Sequence, residues 1–180
     1  MKNIKLLFVL TFLSLVINEQ YKMQTKTGKI TFEASIPSFE EVKASNETAS
    51  CIIQLKTGKI ASLALVKGFR FKAALMEEHF NETYIESNIY PKATFKGKIE
   101  DFNWKNIGPT PKEYKLKGKL ELHGKSKEIS TTVTLRKVAD GMEIRSDFNV
   151  NSDDFDIAIP KPVSNKISRK INIKIEYTVY

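Results

Sequence analysis

Cysteine and histidine are nearly absent. The 180 residues hold one Cys and two His, so no internal disulfide braces the chain, and a three- or four-ligand zinc site is not expected from such scattered donors. Catalytic signatures are missing too: there is no G-x-S-x-G elbow, P-loop or dinucleotide fingerprint. No zinc finger, RNP aromatic motif or basic helix is present, which excludes nucleic acid as an expected partner. Eight Gly and six Pro are too few for a fibrous or low-complexity chain. No cofactor is expected. The single thiol, Cys51 in "SCIIQLK", shares a strand parity with Ile53 and Leu55 and reads as a buried, inert side chain.

What remains is an ordinary globular composition, 41% hydrophobic and 28% charged, with eleven Phe, six Tyr and one Trp to build a core. That fits one domain. The formal net charge is +8, but the lysines alternate with apolar residues, the pattern of a solvated sheet face; transient contact with an anionic membrane surface is the second reading of the same charge. At the amino terminus, "MKNIKLLFVLTFLSLVINEQ" places Lys2 and Lys5 before an apolar run, Leu6 to Ile17, broken only by Thr11 and Ser14. This is the layout of a secretory signal, too short for a comfortable membrane span. The expected division is a signal over 1–20 and one domain over 21–180, exported to the periplasm or secreted.

Period-two alternation dominates the rest. In "YKLKGKLELHG", Tyr114, Leu116, Leu120 and Leu122 share one parity while Lys115, Lys117, Lys119, Glu121 and His123 share the other, the mark of a half-buried strand. His123 is thereby expected to face solvent. Ile129, Val133 and Leu135 continue the pattern, Asp140-Gly141 supplies a hairpin turn, and Met142, Ile144, Phe148 and Val150 alternate beyond it. "KINIKIEYTVY" sets Ile171, Ile173, Ile175, Tyr177 and Val179 on one face, and "KATFKGKIED" gives Phe95 and Ile99 inward. Two Thr-Gly-Lys sites, Thr27–Lys29 and Thr57–Lys59, read as further turns. About eight or nine antiparallel strands, apolar on one face only, imply a closed barrel or a sandwich, and closure is favoured because a single layer must curl to cover its greasy face.

One segment breaks the alternation. Leu75, Met76, Phe80, Tyr84 and Ile85 recur at helical spacing, which predicts a short helical insertion near residues 73–87, ended before Pro91. It also carries Glu77, Glu78, His79 and Glu82, a constellation in which a carboxylate could orient an imidazole as general base. An esterase-like site using His79 and Glu78 is therefore a competing reading, against an exposed helical turn whose apolar members dock on the barrel. A third reading is an adhesion or envelope-stress protein with a basic outer face. Asp153, Asp154 and Asp156 have a spacing like that of a calcium loop but lack its Gly and bidentate Glu, and no metal is assigned to them.

The helical segment with Phe80, followed by Tyr90, Pro91, Ala93 and Phe95, resembles a hallmark of the YceI-like family of lipid- and polyisoprenoid-binding proteins. A second hallmark is matched by Gly118, Leu120, Leu122, Gly124, Ser126 and Lys127, with Lys125 where a small aliphatic residue is usual, and Asp154 to Ile157 is similar to the closing segment. The resemblance implies an all-β, lipocalin-like antiparallel barrel of about eight strands, without catalytic function, holding a long isoprenoid or other amphiphilic lipid inside. The candidate apolar pocket is then Phe71, Leu75, Met76, Phe80, Tyr84, Phe95, Leu120, Leu122, Val133, Leu135, Met142, Ile144, Phe148, Val150, Ile171, Ile173 and Ile175, with Lys72, His79 and Asn81 as candidate head-group contacts. A homodimer stays open as a further partnership.

Overall fold

Strands that alternate apolar and polar side chains can satisfy both their backbone and their greasy face by rolling into a ring, and this chain does so. The computed structural model describes residues 21–180; the export signal read from 1–20 lies outside the described residues. The strands are β1 (Lys22–Ser35), β2 (Lys43–Gln54), β3 (Lys59–Leu65), β4 (Arg70–Phe71), β5 (Lys92–Ile99), β6 (Lys112–Leu122), β7 (Lys125–Val138), β8 (Gly141–Asn151) and β9 (Ile167–Val179). Helix α1 (Ala74–His79) runs straight into a π-helical turn at Phe80–Tyr84, which matches the expected insertion.

All pairings are antiparallel, in the order β1-β9-β8-β7-β6-β5-β3-β2, and β2 returns to β1 to close an eight-stranded barrel. The short β4 is an extra strand laid beside the start of β2, through Ala44↔Phe71 and Ser45↔Arg70. Closure leaves only that brief edge to cover. Inward and outward parities follow the sequence pattern: along β6, Leu116 and Leu120 are buried and Lys115, Lys117 and Lys119 exposed.

Two turns differ from the sequence reading. Thr27–Lys29 is not a hairpin; β1 passes through it, with register shifts on both sides of Gly28. A Cβ on Gly28 would strike the Tyr177 ring, so the glycine there makes room for an aromatic side chain at a bulge. The β7–β8 hairpin also turns one residue earlier than expected: Val138 pairs with Gly141, placing Ala139 and Asp140 at the tip. Thr57–Lys59 does lie at a turn, where Gly58 adopts φ of +70° between β2 and β3.

The barrel has two unlike ends. Where β2, β5, β7 and β9 finish and β6 and β8 begin, Ile53, Ile99, Val133, Leu135, Met142, Ile144 and Val179 have no solvent exposure, and Phe102, Trp104 and Ile107 from the β5–β6 connection pack into the same cluster. That end is plugged. At the other end lie the helical segment, the 36–42 connection and the long 152–166 connection.

Candidate functional site

The open half encloses a cavity of about 550 Å3, within the usual range of roughly 300–1,000 Å3 for small-ligand sites. Its walls are the inward parities of the strands: Phe95 from β5, Leu120 and Leu122 from β6, Ile129 from β7, Phe148 and Val150 from β8, and Ile171, Ile173 and Ile175 from β9. The helical segment adds Leu75, Met76, Phe80 and Tyr84 across one side of the mouth, with Phe71 of β4 beside them.

Aromatic packing holds this cover down. Phe80 lies with ring centroids 5.3 Å from Phe32 and 5.2 Å from Phe71, and Phe32 is 5.3 Å from Phe69, spacings at which ring edges and faces attract. The π-helical turn, closed by Ile85 N–H donating to the Phe80 carbonyl at 3.0 Å, widens the helix where Phe80 and Tyr84 meet the cavity. Glu77 locks the other side: Oε1 accepts from Arg70 Nη1 at 2.9 Å, and Oε2 from the Phe71 amide at 3.1 Å. This glutamate is thus an anchor tying α1 to β4.

Val133, Leu135, Met142 and Ile144, expected from their parity to line a pocket, do not reach it and instead form the plug. Of the head-group candidates, His79 lines the cavity, whereas Lys72 and Asn81 do not; Asn81 Nδ2 donates to the Glu77 carbonyl at 2.9 Å, inside the helical segment. Lining residues missed by sequence reasoning include Ile30, Phe32 and Ala34 of β1, Ile60 and Ala64 of β3, Phe155, Ile157, Ile159 and Val163 between β8 and β9, and Ile167 at the start of β9. The β1 residues were visible in the alternation of "KITFEA"; those between β8 and β9 lie in an irregular connection where no period points inward.

The cavity is poor in polar groups. Near its floor Ser62 Oγ and Tyr177 Oη are hydrogen-bonded at 2.6 Å, and the buried Ser152 Oγ has no partner. Burial pushes the Tyr177 phenol far above its ordinary value, opposed only in part by the Ser62 hydrogen bond, and raises Tyr84 as well. Apart from the two tyrosines, the titratable lining side chains, Glu40, His79 and Lys166, are exposed, which places them at the mouth. Among the described residues no cluster of His, Cys, Asp and Glu could hold a metal ion.

His123 corrects the sequence reading. It does not face solvent: φ of +50° turns it inward, its side chain is 10% exposed, Nδ1 lies 2.9 Å from the Phe155 carbonyl, and Nε2 lies 3.0 Å from Glu86 Oε2. Tyr90 packs edge-on at 4.5 Å between ring centroids. The imidazole therefore pins three segments around the cavity together, the β6–β7 turn, the chain leaving the helix and the connection after β8.

Such a site has little to do chemistry with and much apolar surface to offer. Each CH2-sized unit leaving water for it contributes about 0.8 kcal/mol, so a long hydrocarbon chain needs no polar partner to bind. The family model of the YceI-like domain matches residues 18–179. Among solved structures, a polyisoprenoid-binding domain from Saccharophagus degradans implicated in plant cell wall breakdown superposes with a TM-score of 0.75 at 11% identity, covering 88% of this chain and 97% of that one. BcnA of Burkholderia cenocepacia gives 0.70 at 15% identity over 85% and 96%. A Campylobacter jejuni YceI protein gives 0.60 at 18% identity over 79% and 88%. No curated protein sequence matches the chain. At these identities the solved structures establish a shared fold.

Proposed function

The chain belongs to the YceI-like family, and we propose that it is a non-enzymatic binder and carrier of an amphiphilic lipid with a long apolar chain, of the polyisoprenoid class. The observation that carries this reading is the cavity of about 550 Å3, apolar from Phe95 to Ile175 and open at one end only. A chain threaded through the mouth buries hydrocarbon along β5, β6, β8 and β9, and a polar head stays near Glu40, His79 and Lys166, where solvent is available. A polyisoprenoid is also the ligand class named for the Saccharophagus domain of the same fold.

Export to the periplasm or beyond belongs to the same proposal, supported by Lys2, Lys5 and the Leu6–Ile17 run. Lipid cargo and an exported barrel with one thiol and no disulfide are mutually consistent. Native mass spectrometry of protein purified from its host is expected to show a co-purified mass that organic extraction removes. Protein that arrives empty and also ignores polyprenyl phosphates and quinones would overturn the reading. Cell fractionation tests the location.

The esterase alternative has less to rest on. That reading pairs His79 with Glu78, yet among the described residues no hydrogen bond or ion pair joins the two; Glu77, two residues before His79, is committed to Arg70 and the Phe71 amide, and the histidine that does hold a carboxylate is His123. Turnover of a panel of esters that vanished in His79→Ala would restore it.

A further inference from the structure

The outer wall of the barrel is charged in two different ways. On most of it, residues facing each other across strands are of opposite sign and form ion pairs: Glu33 with Lys43 across β1 and β2, Arg136 with Glu143 across β7 and β8, and Arg145 with Glu176 and Asp147 with Lys174 across β8 and β9. On β3, β5 and β6 the rule reverses. Lys98 faces Lys59 on one side and Lys117 on the other, and Lys96 faces Lys119. Like charges directly opposite one another on adjacent strands cost stability.

These five lysines are all exposed, as is their neighbour Lys115. Of the six, Lys117 alone has a carboxylate within ion-pair distance among the described residues, Glu100 at 2.7 Å. Lys119 also stands opposite Glu128 of β7, but neither that carboxylate nor the other acids near this wall, Asp101, Glu113 and Glu121, is within ion-pair distance of these lysines among the described residues. At the open end of the same wall, where β3 finishes and β5 begins, Leu65 is 52% and Ile89 65% exposed, and Lys92 stands directly opposite Leu65. Two large apolar side chains at the rim of a lipid-sized cavity thus adjoin a column of unbalanced positive charge.

We propose that the β3–β5–β6 wall is a docking surface for an anionic lipid bilayer, with Leu65 and Ile89 entering the interface and bringing the cavity mouth to the membrane. The lysines supply attraction to acidic head groups, which strengthens with each basic residue near the surface, and the two aliphatic side chains supply apolar insertion that a soluble polyanion could not use. The cargo assigned to this site rests on the carrier reading above; the docking surface does not.

Co-sedimentation with phosphatidylcholine vesicles, with and without roughly one-third phosphatidylglycerol, tests it, at low salt and at near-molar salt where screening is short-ranged. Binding is expected only to the anionic vesicles and only at low salt. The triple variant Lys96→Gln, Lys98→Gln, Lys119→Gln lowers partitioning on the order of a hundredfold, and Leu65→Ser with Ile89→Ser lowers it about tenfold. A matched triple on the paired faces, Lys29→Gln, Lys43→Gln, Lys174→Gln, retains most of it.

Equal loss in both triples, equal binding to neutral vesicles, or no vesicle binding at all would overturn the docking surface. So would tighter binding to soluble polyphosphate that ignores Leu65→Ser and Ile89→Ser. Uptake of a soluble apolar fluorophore without vesicles separates the two proposals: dye uptake lost with vesicle binding intact sinks the carrier alone, and the converse sinks docking alone. Thermal melts confirm that each variant folds.

Discussion

Ser62 on β3 and Tyr177 on β9 are 115 residues apart in sequence, yet their hydroxyls lie 2.6 Å from one another, and this pair marks the level at which the barrel changes from plugged to hollow. Tyr177 belongs both to the plug cluster and to the cavity lining. Tyr177→Phe keeps the ring but orphans Ser62, and is expected to cost about 1 kcal/mol in urea unfolding. Affinity for a pure hydrocarbon probe should not change, because the ring still forms the floor.

The division between plug and cavity gives a paired prediction. Ile144→Ala, at a site with no exposure, is expected to cost about 2–5 kcal/mol while each folded molecule still takes up apolar dye. Ile173→Trp, on the cavity wall, is expected to do the reverse, leaving the melting temperature nearly unchanged and cutting dye uptake at least about tenfold by filling the space the ligand needs. Dye titrations alongside melts read both.

The helical cover rests on Phe80 against Phe32 and Phe71. Phe80→Ala is expected to cost about 2 kcal/mol, less than a fully buried Phe, and to speed dye release in stopped flow more than it slows uptake. Unchanged release kinetics would mean that this segment does not gate the mouth.

Removing the His123 imidazole leaves the Phe155 carbonyl without its partner, next to a ring that has no exposure. His123→Ala is expected to destabilise by about 1–3 kcal/mol, and Glu86→Gln by less because Glu86 is half exposed. Hydrogen exchange should locate the loss at the β6–β7 turn and in the Ser152–Phe155 turn.

Burial raises the Cys51 thiol from 9.0 to about 12. Above pH 9 the unfolded chain releases this proton and the folded chain keeps it, so the unfolded state binds fewer protons and stability falls as pH rises. The decline begins near 9, reaches about 1 kcal/mol by roughly pH 10, and stops as pH passes the folded value. Cys51→Ala should flatten this part of a pH series of urea melts, and the native thiol should resist alkylation.

The helical segment shows how much of the site could be read in advance. Leu75, Met76, Phe80 and Tyr84 announced themselves by helical spacing in a chain otherwise of period two, and all four border the cavity. Asn81 sits among them but points elsewhere, because neighbours on a helix face different ways, and Lys72 lies outside the helix, in the bend between β4 and α1. Ile157, Ile159 and Val163 had no period to betray them: an irregular connection carries its side chains wherever its turns direct.

By itself the sequence determined which parity faces inward along β5 to β9, because adjacent side chains on a strand must point to opposite faces, and with that it narrowed the fold to an antiparallel barrel or sandwich with a helical insertion. What it could not determine is where the inside is full. Val133 and Ile173 are equally apolar and equally inward, yet one is sealed in the plug and the other borders the cavity. That difference is tertiary: Phe102, Trp104 and Ile107 fold into one end of the ring, while at the other the helical segment crosses one side of the mouth and no side chain fills the space beneath it.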